Sequence, residues 1–188
     1  MVTFAKPSKT HLLMASGIIT TTKLDPFYQK FLKSHFDCSE IVFTFPKNHD
    51  LHLGLNLLLS TNPHDGAYPD YGKHTFRIDL YHIRTRDIRQ YNYLSEKASA
   101  MFASKVRDFY SMIYHEFYSS LYRSYNHKDI VYLWMECHNF TESAYDRIER
   151  EARRYRKRNY DRNYIEKKKL NKVKTAPTSL AHLSNVTN

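Results

Sequence analysis

The spacing of apolar residues along the chain changes from the alternation that is typical of strands to the three- and four-residue steps of helices. A first helix is predicted over about 26–36, because Asp25 can accept hydrogen bonds at an N-cap and Pro26 fits the first helical position. Its apolar face consists of Phe27, Phe31 and Leu32.

Three later segments alternate apolar and polar residues, and each of them predicts a strand. The alternating apolar residues are Ile41, Phe43 and Phe45, then Leu51, Leu53, Leu55, Leu57 and Leu59, then Phe76, Ile78 and Leu80. The polar turn KNHD between the first two segments predicts a hairpin with one buried side. The third strand is expected to complete a twisted antiparallel sheet, whose wet face carries Arg77, Asp79 and Tyr81.

Between Tyr93 and Tyr125 the apolar period becomes helical, and it predicts one helix of roughly 30 residues. One row along this helix consists of Ala98, Phe102, Val106, Phe109, Ile113, Phe117 and Leu121, and a second row of Tyr110, Tyr114, Tyr118 and Tyr122. The apolar row is expected to cover the buried side of the sheet, and Asn126 to end the helix. The tyrosine row is expected at the boundary between core and solvent, where exposed members would suit a protein interface.

The C-terminal third of the chain is predicted to hold a short buried element and a second long helix. DIVYLWMEC favours a strand over a buried helix, because β-branched and aromatic residues are common in strands. NFTE then predicts a helix start, with Asn139 as N-cap and Glu142 reaching back to it. The inner stripe of this helix consists of Tyr145, Ile148, Ala152 and Tyr155. Beyond Tyr155 polar residues take the stripe positions, so the helix is expected to leave the domain.

These elements together predict the α+β class. The expected architecture is a small antiparallel sheet of about three to four strands covered by a long amphipathic helix, with a C-terminal basic helical arm. We expect a near-neutral domain over residues 1–146, a basic helical arm over 147–174 that continues the last helix, and a polar tail over 175–188.

Charge is distributed unevenly along the chain. The 188 residues carry a formal net charge of +10. Residues 147–174 contain 13 Lys or Arg against four acids, a net charge of +9, whereas residues 1–146 contain 16 basic and 15 acidic side chains, a net charge of +1. Because like charges that are grouped create a local field, the arm is the part of the chain where a charged partner is expected.

Aromatic residues lie among the basic residues of the arm, a pattern that favours contact with phosphates together with stacking on bases. Arginine is suited to this role because its planar guanidinium can contact phosphate oxygens in pairs. The predicted nucleic-acid-binding residues are Arg153, Arg154, Arg156, Lys157, Arg158, Arg162, Lys167, Lys168, Lys169, Tyr155, Tyr160 and Tyr164. An acidic protein surface could bind the same arm, and a solvated helix end without a ligand has the same composition.

No motif in the chain specifies catalysis or metal binding. The eleven histidines and two cysteines show no zinc-finger, zinc-knuckle or H-E-x-x-H spacing, and no phosphate-binding or dinucleotide-binding glycine motif is present. We therefore predict no catalytic residue, no metal ligand and no cofactor, and expect Cys38 and Cys137 to be reduced thiols. The turn-rich loop over 61–74 is the best candidate for a small binding site, and a hydrolase that uses its histidines is a third interpretation.

The leading functional hypothesis is a non-enzymatic nucleic-acid-associated protein whose basic C-terminal helix contacts the phosphate backbone. The alternative is a structural or assembly component of a large complex such as a phage virion, with arm and tail wrapping neighbouring subunits. No uncharged apolar run approaches the roughly 20 residues of a membrane-spanning helix. The expected location is intracellular or in a virion, without a membrane partner, and a homo-oligomer or larger assembly is an open alternative.

Overall fold

The computed structural model describes residues 18–46, 48–63, 69–80 and 87–174, and at 160–164 and 166–174 it describes only the course of the last helix. The strands are β1 (Ile19–Lys23), β2 (Val42–Thr44), β3 (Ser60–Thr61), β4 (Thr75–Asp79) and β5 (Tyr91–Tyr93). The helices are α1 (Pro26–His35), α2 (Asp50–Leu58), α3 (Glu96–Leu121), α4 (His127–Cys137) and α5 (Tyr145–Lys174). The predicted tail over 175–188 lies outside the described residues.

The α+β class, with a small sheet and long helices, is confirmed. Strand β4 is the middle strand of a three-stranded sheet, antiparallel to β1 and parallel to β2. The parallel edge departs from the antiparallel sheet that the alternating segments predict. It arises because α2 and the following loop lie between β2 and β4, and a connection of this length lets the chain re-enter the sheet in the same direction. Strands β3 and β5 form a separate antiparallel pair.

Strand β1 was not predicted, because its sequence ITTTK contains little apolar surface. Its three threonines, Thr20 to Thr22, are nonetheless buried. The Oγ atoms of Thr22 and Ser99 lie 2.8 Å apart, and the backbone N–H of Lys23 donates to Ser99 Oγ at 2.7 Å. These bonds fix the first turns of α3 against the sheet. The wet-face prediction for Asp79 is wrong, since that residue is only 3% exposed.

The leucine-rich segment over 51–59 is helix α2, so the predicted hairpin is wrong. A run with period two also places residues at i and i+4, which share one face of a helix. Leu51 and Leu55 are such a pair and are buried, whereas Leu53 and Leu57 are exposed. Leucine also has a high helix propensity because it lacks a β-branch. The Nδ1 atom of His49 accepts the Leu51 backbone N–H at 3.2 Å and caps the helix.

Helix α3 packs against the sheet and against the other helices, as its apolar row predicts. It begins after Ser95, whose hydroxyl accepts the Ala98 backbone N–H, and it ends at Leu121, before the predicted stop. The boundary position predicted for the tyrosine row is wrong for three of its members. Tyr110, Tyr114 and Tyr118 are 3%, 0% and 3% exposed, because α1, α4 and α5 cover that side of α3, and only the fourth ring of the row is exposed.

The segment predicted to favour a strand, DIVYLWMEC, is part of helix α4. Asn126 caps the N-terminus of α4 by accepting the Asp129 backbone N–H at 3.0 Å, so it starts this helix instead of ending α3. Trp134 is the centre of the helix packing and lies 5.0 Å from Tyr114 and 6.1 Å from Phe31 between ring centroids. Burial against α1, α3 and α5 therefore decides the structure of a segment whose β-branched residues favour a strand.

Asn139 ends α4 and does not cap α5, so the predicted start of the last helix is wrong. Its φ is +53°, a left-handed conformation that asparagine tolerates. The backbone N–H groups of Asn139 and Phe140 donate to Glu136 and Met135, the paired bonds of a Schellman ending. Helix α5 starts six residues later at Tyr145, after a short 3-10 turn over Glu142–Ala144.

Candidate nucleic-acid interface

Helix α5 carries all twelve residues that the sequence predicts to bind nucleic acid. Its inner stripe is confirmed, because Ile148 and Ala152 are fully buried and Tyr145 and Tyr155 are half-buried against the body. The helix runs without interruption from Tyr145 to Lys174. The domain division at 146/147 stays a prediction, since the first turns of the arm are packed on the body.

Arg147 fastens the beginning of α5 to α1. Its Nη1 donates to both carboxylate oxygens of Asp25 at 3.1 Å, and its guanidinium lies over the rings of Phe27 and Tyr28 at 4.3 and 4.6 Å from their centroids. The same Asp25 caps α1 through the Phe27 backbone N–H. Arg147 is therefore a structural cation, although the charge count includes it in the arm.

We expect Arg147→Gln to lower the free energy of unfolding by about 1 kcal/mol, a value reduced for the partial exposure of the pair. Arg150→Gln is the matched control, because Arg150 is exposed and, among the described contacts, donates to the Asp146 carbonyl of its own helix alone. Urea denaturation followed by circular dichroism measures both variants. Equal stability of the two variants would show that the Asp25 contact contributes nothing.

The two acids in the first turns of α5 face the body and are paired with histidines. Oε1 of Glu149 lies 3.6 Å from Nε2 of His127 on α4, and Oε1 of Glu151 lies 3.0 Å from Nε2 of His115 on α3. Interaction with His115, opposed by desolvation and assisted by Ser111 and Arg154, lowers the pKa of Glu151 to about 2. Glu151 is therefore ionised at neutral pH, and its charge lies on the inner side of the helix.

The outer side of the same helix is uniformly basic. Between residues 150 and 159 every exposed charged side chain is a cation, and the acid in this range, Glu151, is buried. We define the basic face by these exposed cations: Arg150, Arg153, Arg154, Arg156, Lys157 and Arg158. Arg153 and Arg154 contact Glu149 and Glu151, yet their side chains are still 66% and 68% exposed.

The remaining predicted binding residues divide into two groups. The ring of Tyr155 packs against His115 and Tyr118, with centroid distances of 4.9 and 5.3 Å, so it faces the body. The other predicted residues lie on the part of α5 whose side chains are outside the described residues: Tyr160, Arg162, Tyr164, Lys167, Lys168 and Lys169.

The turn between α3 and α4 adds residues that the sequence analysis did not include in the site. Tyr122 and Tyr125 are 51% and 46% exposed. Between them, Arg123 donates from Nε to Tyr122 Oη at 3.2 Å and holds its guanidinium 5.7 Å from the centre of that ring. The sequence signal for this site was present in the motif LYRSYN, a basic residue between two tyrosines after a helix end.

A cluster of histidines lies between α1, α4 and the start of α2. The rings of His35 and His138 are 6.1 Å apart, and those of His49 and Phe36 are 4.9 Å apart. Burial, and secondarily the neighbouring His35, lowers the pKa of His138 to about 4. Among the described residues, no group of three or more His, Cys, Asp and Glu side chains is arranged to hold a metal ion. Cys38 and Cys137 do not form a disulfide.

The described residues of the loop over 61–74 form no further binding site. Residues 64–68 lie outside the described residues. At its end, Asp70 accepts hydrogen bonds from the Thr75 hydroxyl at 2.7 Å and from the Gly72 backbone N–H at 2.9 Å. These bonds close a turn at which Gly72 has a φ of +59°, so they account for Asp70 structurally.

None of the helices within the described ranges is long and apolar enough to cross a membrane. Comparison of the chain with models of known protein families, with curated proteins and with solved structures found no match in any of the three.

Proposed function

We propose that the protein binds nucleic acid through the basic face of α5, as a binding protein and not as an enzyme. The observation that supports the proposal is the separation of charge across this helix. Its exposed side from residue 150 to 159 presents cations alone, while Glu149 and Glu151 are turned to the body and paired with His127 and His115. A polyanion that approached this side would meet attraction along the whole stretch.

The dimensions of the basic face suit a phosphate backbone. Residues 150–158 span about 12 Å along the helix axis. Double-stranded DNA carries one charge per roughly 1.7 Å of axis when both strands are counted, so this length matches about seven phosphates of a duplex, or three to four of one strand. Five of the six cations are arginines, which contact phosphate oxygens with two parallel N–H groups. An acidic protein surface rarely offers charges at such regular spacing.

Fluorescence anisotropy with the full-length chain tests the proposal. Labelled single-stranded DNA, single-stranded RNA and duplex DNA of about 20 nucleotides are titrated at about 50 mM salt, where electrostatic binding is strong. We expect a dissociation constant in the micromolar range or tighter for at least one of them. A labelled polyglutamate peptide of equal charge is the control. Binding of the peptide but of no nucleic acid would assign the basic face to an acidic protein.

A second candidate, an assembly component of a larger complex such as a virion, is favoured by apolar side chains on the surface. Ile41 and Leu57 are 78% and 75% exposed, and Leu53 on the same side of α2 is 39% exposed. Burying such side chains against another subunit would contribute roughly 1–2 kcal/mol each. In that case the native mass should exceed that of one chain, and Leu57→Glu should reduce it. A monomer at high concentration would contradict this candidate.

A further inference from the structure

The turn between α3 and α4 lies beside the basic face of α5. Two direct contacts, and one that passes through Phe27 of α1, occur at increasing residue numbers and show that α3 and α5 run side by side in the same direction. The ring of Phe27, which Arg147 covers, lies 5.2 Å from that of Tyr110. His115 then pairs with Glu151, and Tyr118 packs on Tyr155.

One more turn of each helix brings the exposed ring of Tyr122 level with residues 158 and 159. Tyr122 follows Tyr118 by four residues, and its backbone N–H still bonds to the Tyr118 carbonyl, so it lies on the same side of α3 about 6 Å further along. Helix α3 ends here, whereas α5 continues to Lys174. The place where the arm extends past α3 is thus bordered by Tyr122.

Tyr125 is connected to the basic face by a second route. It is two residues before His127, whose Nδ1 lies 3.1 Å from the Tyr118 hydroxyl and whose Nε2 lies 3.6 Å from Glu149. Glu149 in turn accepts a 2.6 Å bond from Arg153. We call Tyr122, Arg123 and Tyr125 the turn surface, which these contacts place near Arg153 and near the level of Arg158 along α5.

The turn surface carries exposed aromatic rings, which the basic face lacks. In the described part of α5, Tyr155 is the tyrosine of the predicted site. Its ring packs inward against His115 and Tyr118, so it cannot stack on a base. Tyr122 and Tyr125 instead expose aromatic surface beside cations, and Arg123 is itself adjacent to the Tyr122 ring. Aromatic rings next to a positively charged groove are the features that proteins use to hold unpaired bases.

We infer that the ligand of this surface is single-stranded nucleic acid, with unpaired bases stacked on Tyr122 and Tyr125 and phosphates on the basic face. The inference rests on the proposed function and makes it more specific. Base faces are covered by neighbouring pairs inside a duplex, so only unpaired bases can reach the two rings. A duplex would engage the basic face alone and would bind more weakly than a strand of the same length.

The test compares wild-type protein with the double variant Tyr122→Ala/Tyr125→Ala on labelled single-stranded RNA, single-stranded DNA and duplex DNA. Loss of two stacked bases should weaken single-strand binding by about 30-fold and change duplex binding less than about threefold. Tyr122→Phe/Tyr125→Phe keeps both rings and should bind nearly as wild type. Comparison of the RNA and DNA titrations shows whether the protein prefers ribose or deoxyribose. Preferred binding of either single strand agrees with the inference.

Tyr132→Ala is the matched control, because Tyr132 is also exposed, at 55%. It packs against Tyr145 at the first turn of α5, away from the turn surface. It should leave binding unchanged. Equal binding of strand and duplex with no effect of the double variant would overturn the inference and leave the proposed function standing. Absence of all nucleic-acid binding by the wild type would overturn both. A change in native mass on substitution of the two tyrosines, without a change in binding, would show that they contact protein.

Discussion

Replacing four cations of the basic face with glutamine should weaken nucleic-acid binding by about 100-fold at about 100 mM salt. The chosen residues have no carboxylate partner among the described contacts, so their loss leaves the ion pairs of Glu149 and Glu151 in place. They are Arg150, Arg156, Lys157 and Arg158. Each lost phosphate contact removes the gain from releasing one counterion, and these gains multiply. Glutamine keeps helix propensity close to that of arginine, so α5 should remain folded.

The matched control removes the same amount of charge from the rest of the surface. It replaces four exposed cations of the body with glutamine: Lys30, Lys73, Arg89 and Lys97. Both variants lower the net charge by four, but only the first changes the local field at α5. The control should bind within about threefold of wild type. Equal weakening of the two variants would mean that net charge, and not the basic face, attracts the ligand.

Acidification from pH 7 to pH 4 should lower the free energy of unfolding by about 6 kcal/mol. Burial, followed by the neighbouring His49, lowers the pKa of His52 to about 4, and burial with His35 does the same for His138. The unfolded chain binds protons at these positions from about pH 6.5 downwards, whereas the folded chain binds them only near pH 4. The unfolded state therefore gains protons first, and stability falls through this window.

Two further effects act in the same direction. Protonation of His49 at Nδ1 would remove the acceptor that caps α2, and burial already lowers the pKa of this residue. Below about pH 4.5 Glu151 becomes protonated in the unfolded chain. In the folded state its pKa is lowered to about 2, so it stays ionised there. The contribution of that carboxylate is present above pH 4.5 and is lost as the pH falls towards 2.

Urea denaturation at several pH values, followed by circular dichroism, measures this dependence. His138→Phe keeps an aromatic ring beside Trp134, whose centroid is 4.1 Å away, and removes one of the shifted groups. It should therefore reduce the slope of stability against pH between 6.5 and 4. His74→Phe, at a half-exposed position, is the control. Stability that does not change between pH 7 and pH 4.5 would contradict the account.

The sequence predicted those elements whose local signals agree with their packing. Asp25 and Pro26 start α1 where expected, and the apolar row of α3 lies on the core, because capping and helical periodicity act within a few residues. The leucine-rich segment shows the limit of periodicity. A strict alternation contains the i, i+4 pairs of a helix, and only the contact of α2 with α3 selects the face that is buried.

The tyrosine row and the arm show why the site was predicted only in part. Tyr110, Tyr114 and Tyr118 are buried because helices distant in sequence cover them, which no local pattern indicates. The inward position of Glu151 depends on His115 of another helix, so a charge count could identify a basic segment but not its uniformly basic side. For the same reason the pattern predicts base stacking for Tyr155, and it places Tyr122 at the boundary between core and solvent without separating it from the three buried rings of its row.

The salt dependence of binding shows whether the basic face holds the ligand. If the six cations of the basic face each meet a phosphate, the logarithm of the association constant should fall against the logarithm of salt concentration with a slope of about −4 to −5. The variant that lacks four of them should show a slope shallower by about 3, and the dispersed control should keep the wild-type slope. A wild-type slope near zero, or the same slope in all three proteins, would contradict binding through the basic face of α5.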